Sequence, residues 1–313
     1  MVHVRKSALE IILTTYWLLL CLLVLPSLTF AQEISSRSNV LPLDVKTEAH
    51  EFKTSKIYAV IVGISEYEDS KLRLAFADAD ARFYYEFLRS PSGGSVPERN
   101  ISLLLNEKAT RANIIKALNT QFRDAFEEDL VIIYIATHGV PSSRGNQLFF
   151  LGADADMNNV EGSAISQREF EEALLSTKAQ KRIWTVDACH SGTVVSTEIA
   201  IARGAGDKPE ASLVHRLLTH MASAEAGYVI LSASSAGETS LESSRWGGGH
   251  GVFTYYLVEG LKGAADRDKN SLVDIREIYE YVRAKVAEDT QGQQYPLLNG
   301  RFSREFPMSV VIK

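Results

Sequence analysis

The chain has 313 residues, 45% of them hydrophobic and 23% charged, with a formal net charge of −6. That length suits one large domain or two small ones, and that composition is ordinary for a globular protein, not for a disordered or collagenous one. An acidic balance gives no reason to expect nucleic acid or an anionic membrane surface as a partner.

Residues 1–31 stand apart. His3, Arg5 and Lys6 form a basic start, Ile11 to Leu25 an apolar run, and Thr29-Phe30-Ala31 a cleavage-type sequence before Gln32. This is the pattern of an export signal peptide, and it predicts a bacterial periplasmic or extracellular protein. The apolar run is only a little short of a membrane span, so an uncleaved anchor is the alternative, and with it a membrane contact. Removing residues 1–31 takes away Cys21, one of two cysteines, and leaves Cys189 alone. No internal disulfide and no cysteine-based zinc site can then form, and an unpaired exported thiol is a liability unless buried or used.

Residues 32–55 are polar and without period, a linker or pro-segment ahead of a folded domain over 56–313. Lys56 to Ile64 reads as a buried first strand. Asp78, Asp80 and the run Ala81 to Leu88 fit an amphipathic helix, with Phe83, Phe87 and Leu88 on one face. Ser90 to Arg99 is a loop and Ile101 to Leu105 a second strand. Thr110 caps a helix predicted through about Phe126. Leu130 to Ala136 is a buried strand ending in Thr137-His138-Gly139, and Gln147 to Gly152 suggests a short hairpin. Ser166 and Glu169 form a capping box for a helix through about Thr177. Ile183 to Val186 is a further buried strand, ending in Asp187-Ala188-Cys189-His190-Ser191-Gly192. Residues 193–225 form a long insertion, Gly227 to Ser234 a strand, and Val252 to Leu257 the start of a helix. Ile275 to Val286 is a last helix, and Pro307 to Ile312 is expected to close the sheet as an edge strand. Alternating strands and helices predict a mainly parallel sheet with helices on both faces.

Two strand ends thus carry an imidazole and a thiol, 51 positions apart. Open α/β sheets place ligands at the carboxyl ends of their strands. A thiol of ordinary pKa is only partly ionised at neutral pH, so a nucleophilic cysteine needs a base beside it, and neighbouring parallel strands would supply one through space. A buried inert cysteine and a satisfied loop histidine form the bland alternative.

At these residues the chain resembles the caspase-like cysteine peptidases, peptidase C14 type, and within them the metacaspase and bacterial orthocaspase branch. The caspase signature is Q-A-C-[RQG]-G with a histidine about 50 residues upstream. Asp187 stands here in place of the glutamine, and His190-Ser191 follows the cysteine. The resemblance, spanning about residue 57 to the end, implies a caspase-like (haemoglobinase-type) α/β fold with a mainly parallel six-stranded sheet. It implies a cysteine endopeptidase with Cys189 as nucleophile, His138 as its base and acid, and the Gly139 and Cys189 N–H groups as oxyanion hole. His190 is read as a structural or rim residue. Asp187 resembles the family's pocket acid for arginine or lysine before the cut, which argues against cleavage after aspartate. Asp80, a better match than Asp78, resembles a second pocket acid, and Glu238 stands where a third is expected. The 193–225 insertion resembles the linker that self-cleavage severs, with Arg203 and Lys208 as cut points, or it is a passive surface loop.

Asp266, Asp268, Asn270, Asp274 and Glu277 follow the ligand spacing of a calcium-binding EF-hand loop, although Ser271 replaces the usual glycine and the loop is solitary. A simple helix-connecting turn is the alternative. No cofactor is required by the expected chemistry, and the partners are protein or peptide substrates. Two other readings stay open: a non-proteolytic scaffold on the same fold, and another Cys/His acyl-transfer enzyme.

Overall fold

A computed structural model describes residues 54–142, 147–188, 226–234 and 238–312. The predicted signal peptide, nearly all of the linker, the 193–225 insertion, Cys189 and His190 lie outside the described residues.

Six strands build the main sheet: β1 (Ile57–Gly63), β2 (Ile101–Leu105), β3 (Leu130–Ala136), β4 (Lys181–Asp187), β5 (Gly227–Ser232) and β6 (Leu297–Arg301). Their order is β6-β5-β4-β3-β1-β2. All neighbours are parallel except β6, which runs antiparallel to β5. Every residue of β1 and β3 is buried. Continuous apolar runs are what a parallel sheet covered on both faces demands.

The helices do the covering. Helices α1 (Ala77–Arg89), α4 (Val252–Glu259) and α5 (Ile275–Asp289) pack on one face through residues such as Tyr84, Phe253 and Ile278, against Ile61, Ile132 and Tyr134. Helices α2 (Arg111–Gln121) and α3 (Gln167–Ser176) pack on the other, against Val60, Ile133 and Trp184. Trp184 there meets Phe170 at 5.4 Å and Phe150 at 5.7 Å between ring centroids. Burying a side chain of this kind contributes about 1.5–3 kcal/mol. Thr110 caps α2 by accepting the Asn113 N–H, and the Ser166–Glu169 capping box opens α3.

Three expectations change. The helix from Thr110 ends at Gln121, five residues early, and the chain turns at Phe122, a buried core residue. The hairpin near Gln147 is larger than expected: Leu148–Phe150 pairs with Gly139–Pro141 and with Ile165–Ser166. Pro307–Val310 does not close the main sheet but pairs antiparallel with Leu272–Asp274. The closing strand is β6, Leu-Leu-Asn-Gly-Arg, which has no β-branched residue and carries a glycine, so its local strand signal is weak.

The register aligns the sheet's carboxyl ends. Gly63, Ala136 and Asp187 are successive Cα partners across β1, β3 and β4. His138 and Cys189 each follow one of these level positions by two residues.

Candidate active site

Beyond the level strand ends lies a cavity of about 270 Å³. It is lined by the tip of β3 (Ala136–His138), the tip of β4 (Asp187, Ala188), the first turn of α1 (Ala77, Asp80), residues 239–242, Leu74 and Gly251. His138, Asp80 and Asp187, far apart in sequence, therefore share one cavity.

His138 is half-buried. Its Nε2 lies 2.8 Å from the Leu72 carbonyl oxygen. A carbonyl has no proton to give, so Nε2 carries the hydrogen in the neutral ring and Nδ1 is left as the basic nitrogen. The backbone of His138 is tied as well. Its N–H donates to the Tyr67 hydroxyl at 3.3 Å, that hydroxyl lies 2.6 Å from Thr137 Oγ1, and Thr137 Oγ1 donates to the Leu151 carbonyl. Gly139 follows directly and opens the short strand opposite Phe150.

Asp187 is buried at the tip of β4. Ser240 Oγ donates to its Oδ1 at 2.5 Å and Thr254 Oγ1 to its Oδ2 at 2.7 Å. Tyr134 supplies Thr254 in turn, hydroxyl to hydroxyl at 2.6 Å, from a fully buried position. Burial pushes the Asp187 carboxyl up, and these two hydroxyl donors pull part of the way back. Asp80, 3% exposed, accepts the Gly251 N–H on both oxygens (3.1 and 3.0 Å) and stands 2.8 Å from His250 Nδ1. Burial first, then the charge of Asp187, pushes Asp80 well above the usual carboxylate range. Burial and the Lys262 ammonium lower the His250 imidazole, which stacks on Phe83 at 4.6 Å.

Asp78 has another task. It accepts from Ser65 Oγ at 2.7 Å and from Asn106 Nδ2 at 3.1 Å, fastening the loop between β1 and α1. Glu238 is not among the cavity-lining residues, and one of its oxygens accepts the Tyr295 N–H at 2.8 Å. The acid that lines the cavity from this segment is Glu242, four positions on, although its oxygens accept the Ala75 and Phe76 N–H groups at 2.7 and 3.0 Å. Leu72, Thr254, His250 and Glu242 had no signal in the sequence that would mark them as site residues, whereas Ser240 belongs to the segment that the family resemblance turns toward the substrate cleft.

The predicted calcium turn lies apart from this cavity. Among the described residues, Asp266, Asp268 and Glu277 each bring a ligand atom within 4.8 Å of the others. Asp266 Oδ1 is buried with no hydrogen-bond partner. The other two expected ligands serve the turn itself: Asn270 Oδ1 accepts the Leu272 N–H, and Asp274 caps α5. Ser271 adopts a left-handed φ of +67°, the conformation that the missing glycine would take without strain.

Level strand tips, a six-stranded mainly parallel sheet and helices on both faces define a caspase-like α/β protein. Residues 56–307 match the profile described as the caspase domain of peptidase family C14, and the chain belongs to that family. It is similar to a probable protease of a Desulfuromonadales bacterium, 27% identical over 252 residues, which are 73% of this chain and 29% of that protein. This chain therefore spans less than a third of the relative's length. Among solved structures, a Geobacter sulfurreducens protein superposes with a TM-score of 0.52 at 17% identity, over 82% of this chain and 100% of the other. Caspase-1 from Spodoptera frugiperda gives 0.50 at 15% identity, over 83% and 93%. At such identities the likeness is one of fold.

Proposed function

We propose that the protein is an exported cysteine endopeptidase that cuts after arginine or lysine. The observation that carries this reading is a single cavity holding both a carbonyl-oriented histidine, His138, and two buried carboxylates, Asp80 and Asp187. Nδ1 of His138 takes the proton of the Cys189 thiol, and the thiolate attacks the scissile carbonyl carbon. The tetrahedral oxyanion is met by backbone N–H groups, with Gly139 and Cys189 as the pair, and collapses as Nδ1 returns the proton to the leaving amine. Water then hydrolyses the acyl-enzyme with the same imidazole as base. Two carboxylates in a buried pocket favour a guanidinium or ammonium and reject an acidic side chain, because like charges cannot be brought together there without large cost.

The experiment is hydrolysis of fluorogenic peptides that differ only in Arg, Lys or Asp before the cut, by the full chain and by Cys189→Ala, with calcium and with chelator. Cleavage after Arg or Lys that disappears in Cys189→Ala is the expected result. Cleavage after Asp would overturn the role of the acids, and full activity in Cys189→Ala would overturn the nucleophile. The chemistry uses no cofactor. The same reading assigns calcium to the turn of Asp266, Asp268 and Glu277, and loss of any chelator effect in Asp266→Asn would place it there.

A further inference from the structure

Gly251 sits at φ −64° and ψ 138°, extended backbone that any L-residue adopts. Its lack of a side chain is therefore not a conformational need. What a side chain would meet is the pair of acids. A Cβ at position 251 would stand 2.9 Å from Asp80 Oδ2 and 3.0 Å from Asp187 Oδ2, with Asp187 Cγ next at 3.8 Å among residues beyond its chain neighbours. Both oxygens thus face the space over the Gly251 Cα, within the sum of those two distances of each other, and all three residues line the cavity. The two Oδ1 atoms are engaged elsewhere, with His250 and Ser240. Asp80 Oδ2 receives the Gly251 N–H and Asp187 Oδ2 receives the Thr254 hydroxyl. A carboxylate oxygen has two lone pairs, so each retains acceptor capacity toward this space.

We propose that Gly251 is a specificity-determining residue, its bare Cα being the seat on which the head group of the substrate's basic side chain lies between the two carboxylates. The proposal rests on the basic specificity argued above and adds which residue sets the depth and width of the pocket. A planar guanidinium with five donors can address two acids at once from one seat, whereas an ammonium is a point charge that reaches less far. A methyl group at position 251 occupies that seat and stops any side chain short of the acids. Arginine then loses most and a shorter cation loses least.

The test compares kcat/KM of the full chain and of Gly251→Ala on peptides identical except for arginine or ornithine before the cut. The arginine-to-ornithine preference is expected to fall at least about tenfold in the variant, through KM more than kcat. An unchanged ratio overturns the proposal, whether overall activity is kept or falls uniformly, because damage to the fold lowers both substrates alike. Should Gly251→Ala not fold, the wild type decides with a substrate whose arginine carries two methyl groups on one terminal nitrogen. A seat of single-head width rejects it at least about tenfold relative to arginine, and equal cleavage overturns the proposal. Cleavage after neither arginine nor ornithine by the wild type would instead remove the basic specificity itself.

Discussion

The carbonyl oxygen of Leu72 and Nε2 of His138 stand 2.8 Å apart, and this contact decides which nitrogen of the neutral ring is left without a hydrogen. A backbone carbonyl cannot be deleted by substitution, but its position can be loosened. Leu72 ends a single helical turn, Ser70–Leu72, whose start is capped by Asp69: its carboxylate accepts the Lys71 N–H at 3.0 Å and its carbonyl the Leu72 N–H at 3.0 Å. A lost cap of this kind costs about 1 kcal/mol. Asp69→Ala is expected to lower kcat several-fold with KM nearly unchanged if His138 is the base proposed above, because the turn orients its ring and does not line the acidic end of the pocket. Steady-state kinetics on an arginine peptide checks it, and a change confined to KM would contradict the orienting role.

Two hydroxyls oppose the rise that burial imposes on the Asp187 carboxyl. Removing Ser240 Oγ takes away the donor at 2.5 Å and leaves burial less opposed, so the carboxyl moves further up. Ser240→Ala is expected to shift the acidic limb of kcat/KM for arginine peptides to higher pH while the melting temperature changes little. Thr254→Val is the harsher change, because it also strips the buried Tyr134 hydroxyl of its partner. A buried polar group left unsatisfied costs about 1–3 kcal/mol, so this variant should melt lower as well as bind arginine peptides more weakly.

Much of this site could be read from residue order. Asp187 stands two positions before Cys189 and at the end of an apolar strand, and His138 ends another, so strand periodicity alone points both to one edge of the sheet. Asp80 is marked by the family resemblance alone, and the structure sets it in the first turn of α1 beside the buried Ala81 and Tyr84. Leu72 was illegible because its contribution is a main-chain carbonyl, which every residue has. Ser240, Thr254 and His250 reach the acids only after the sheet is assembled, through contacts 53, 67 and 170 positions apart. Residues 238–242 have no period that ranks one carboxylate above another, and the expectation fell on Glu238 where Glu242 lines the cavity.

The paired acids also set a proton balance. Both Asp80 and Asp187 are raised in the folded protein, so the folded state holds protons that the unfolded chain has already released. Their contribution to stability is fully present below the ordinary carboxylate value and is lost as pH rises through the raised folded values. The neighbouring charges are Glu242 and Asp78, which act in the same sense, and His250, whose imidazole is held down by burial and Lys262. A guanidinium ligand needs the ionised acids, so its binding must expel protons. Titration calorimetry of arginine amide in two buffers of different ionisation enthalpy is expected to show net proton release at mildly acidic pH, diminishing as pH rises. An observed heat independent of buffer would mean that the ligand does not meet these carboxylates.

Gly300 offers the contrasting case, a glycine required by the scaffold. It sits in β6 at φ +119°, and a Cβ there would lie 1.9 Å from the Tyr228 carbonyl oxygen of β5. Neither burden can be relieved by a side-chain shift, since the obstacle is backbone within the sheet and the dihedral itself is unfavourable to L-residues. Gly300→Ala is therefore expected to cost at least about 2 kcal/mol, lowering the melting temperature by roughly 4–8 °C for a domain of this size. The arginine-to-ornithine preference should not change, because β6 contributes no residue to the cavity. The two glycine variants thus separate on two axes: Gly300→Ala moves the melting temperature and leaves selectivity alone, while Gly251→Ala moves selectivity. If both moved melting temperature only, the acids would be parts of the fold and not a substrate pocket.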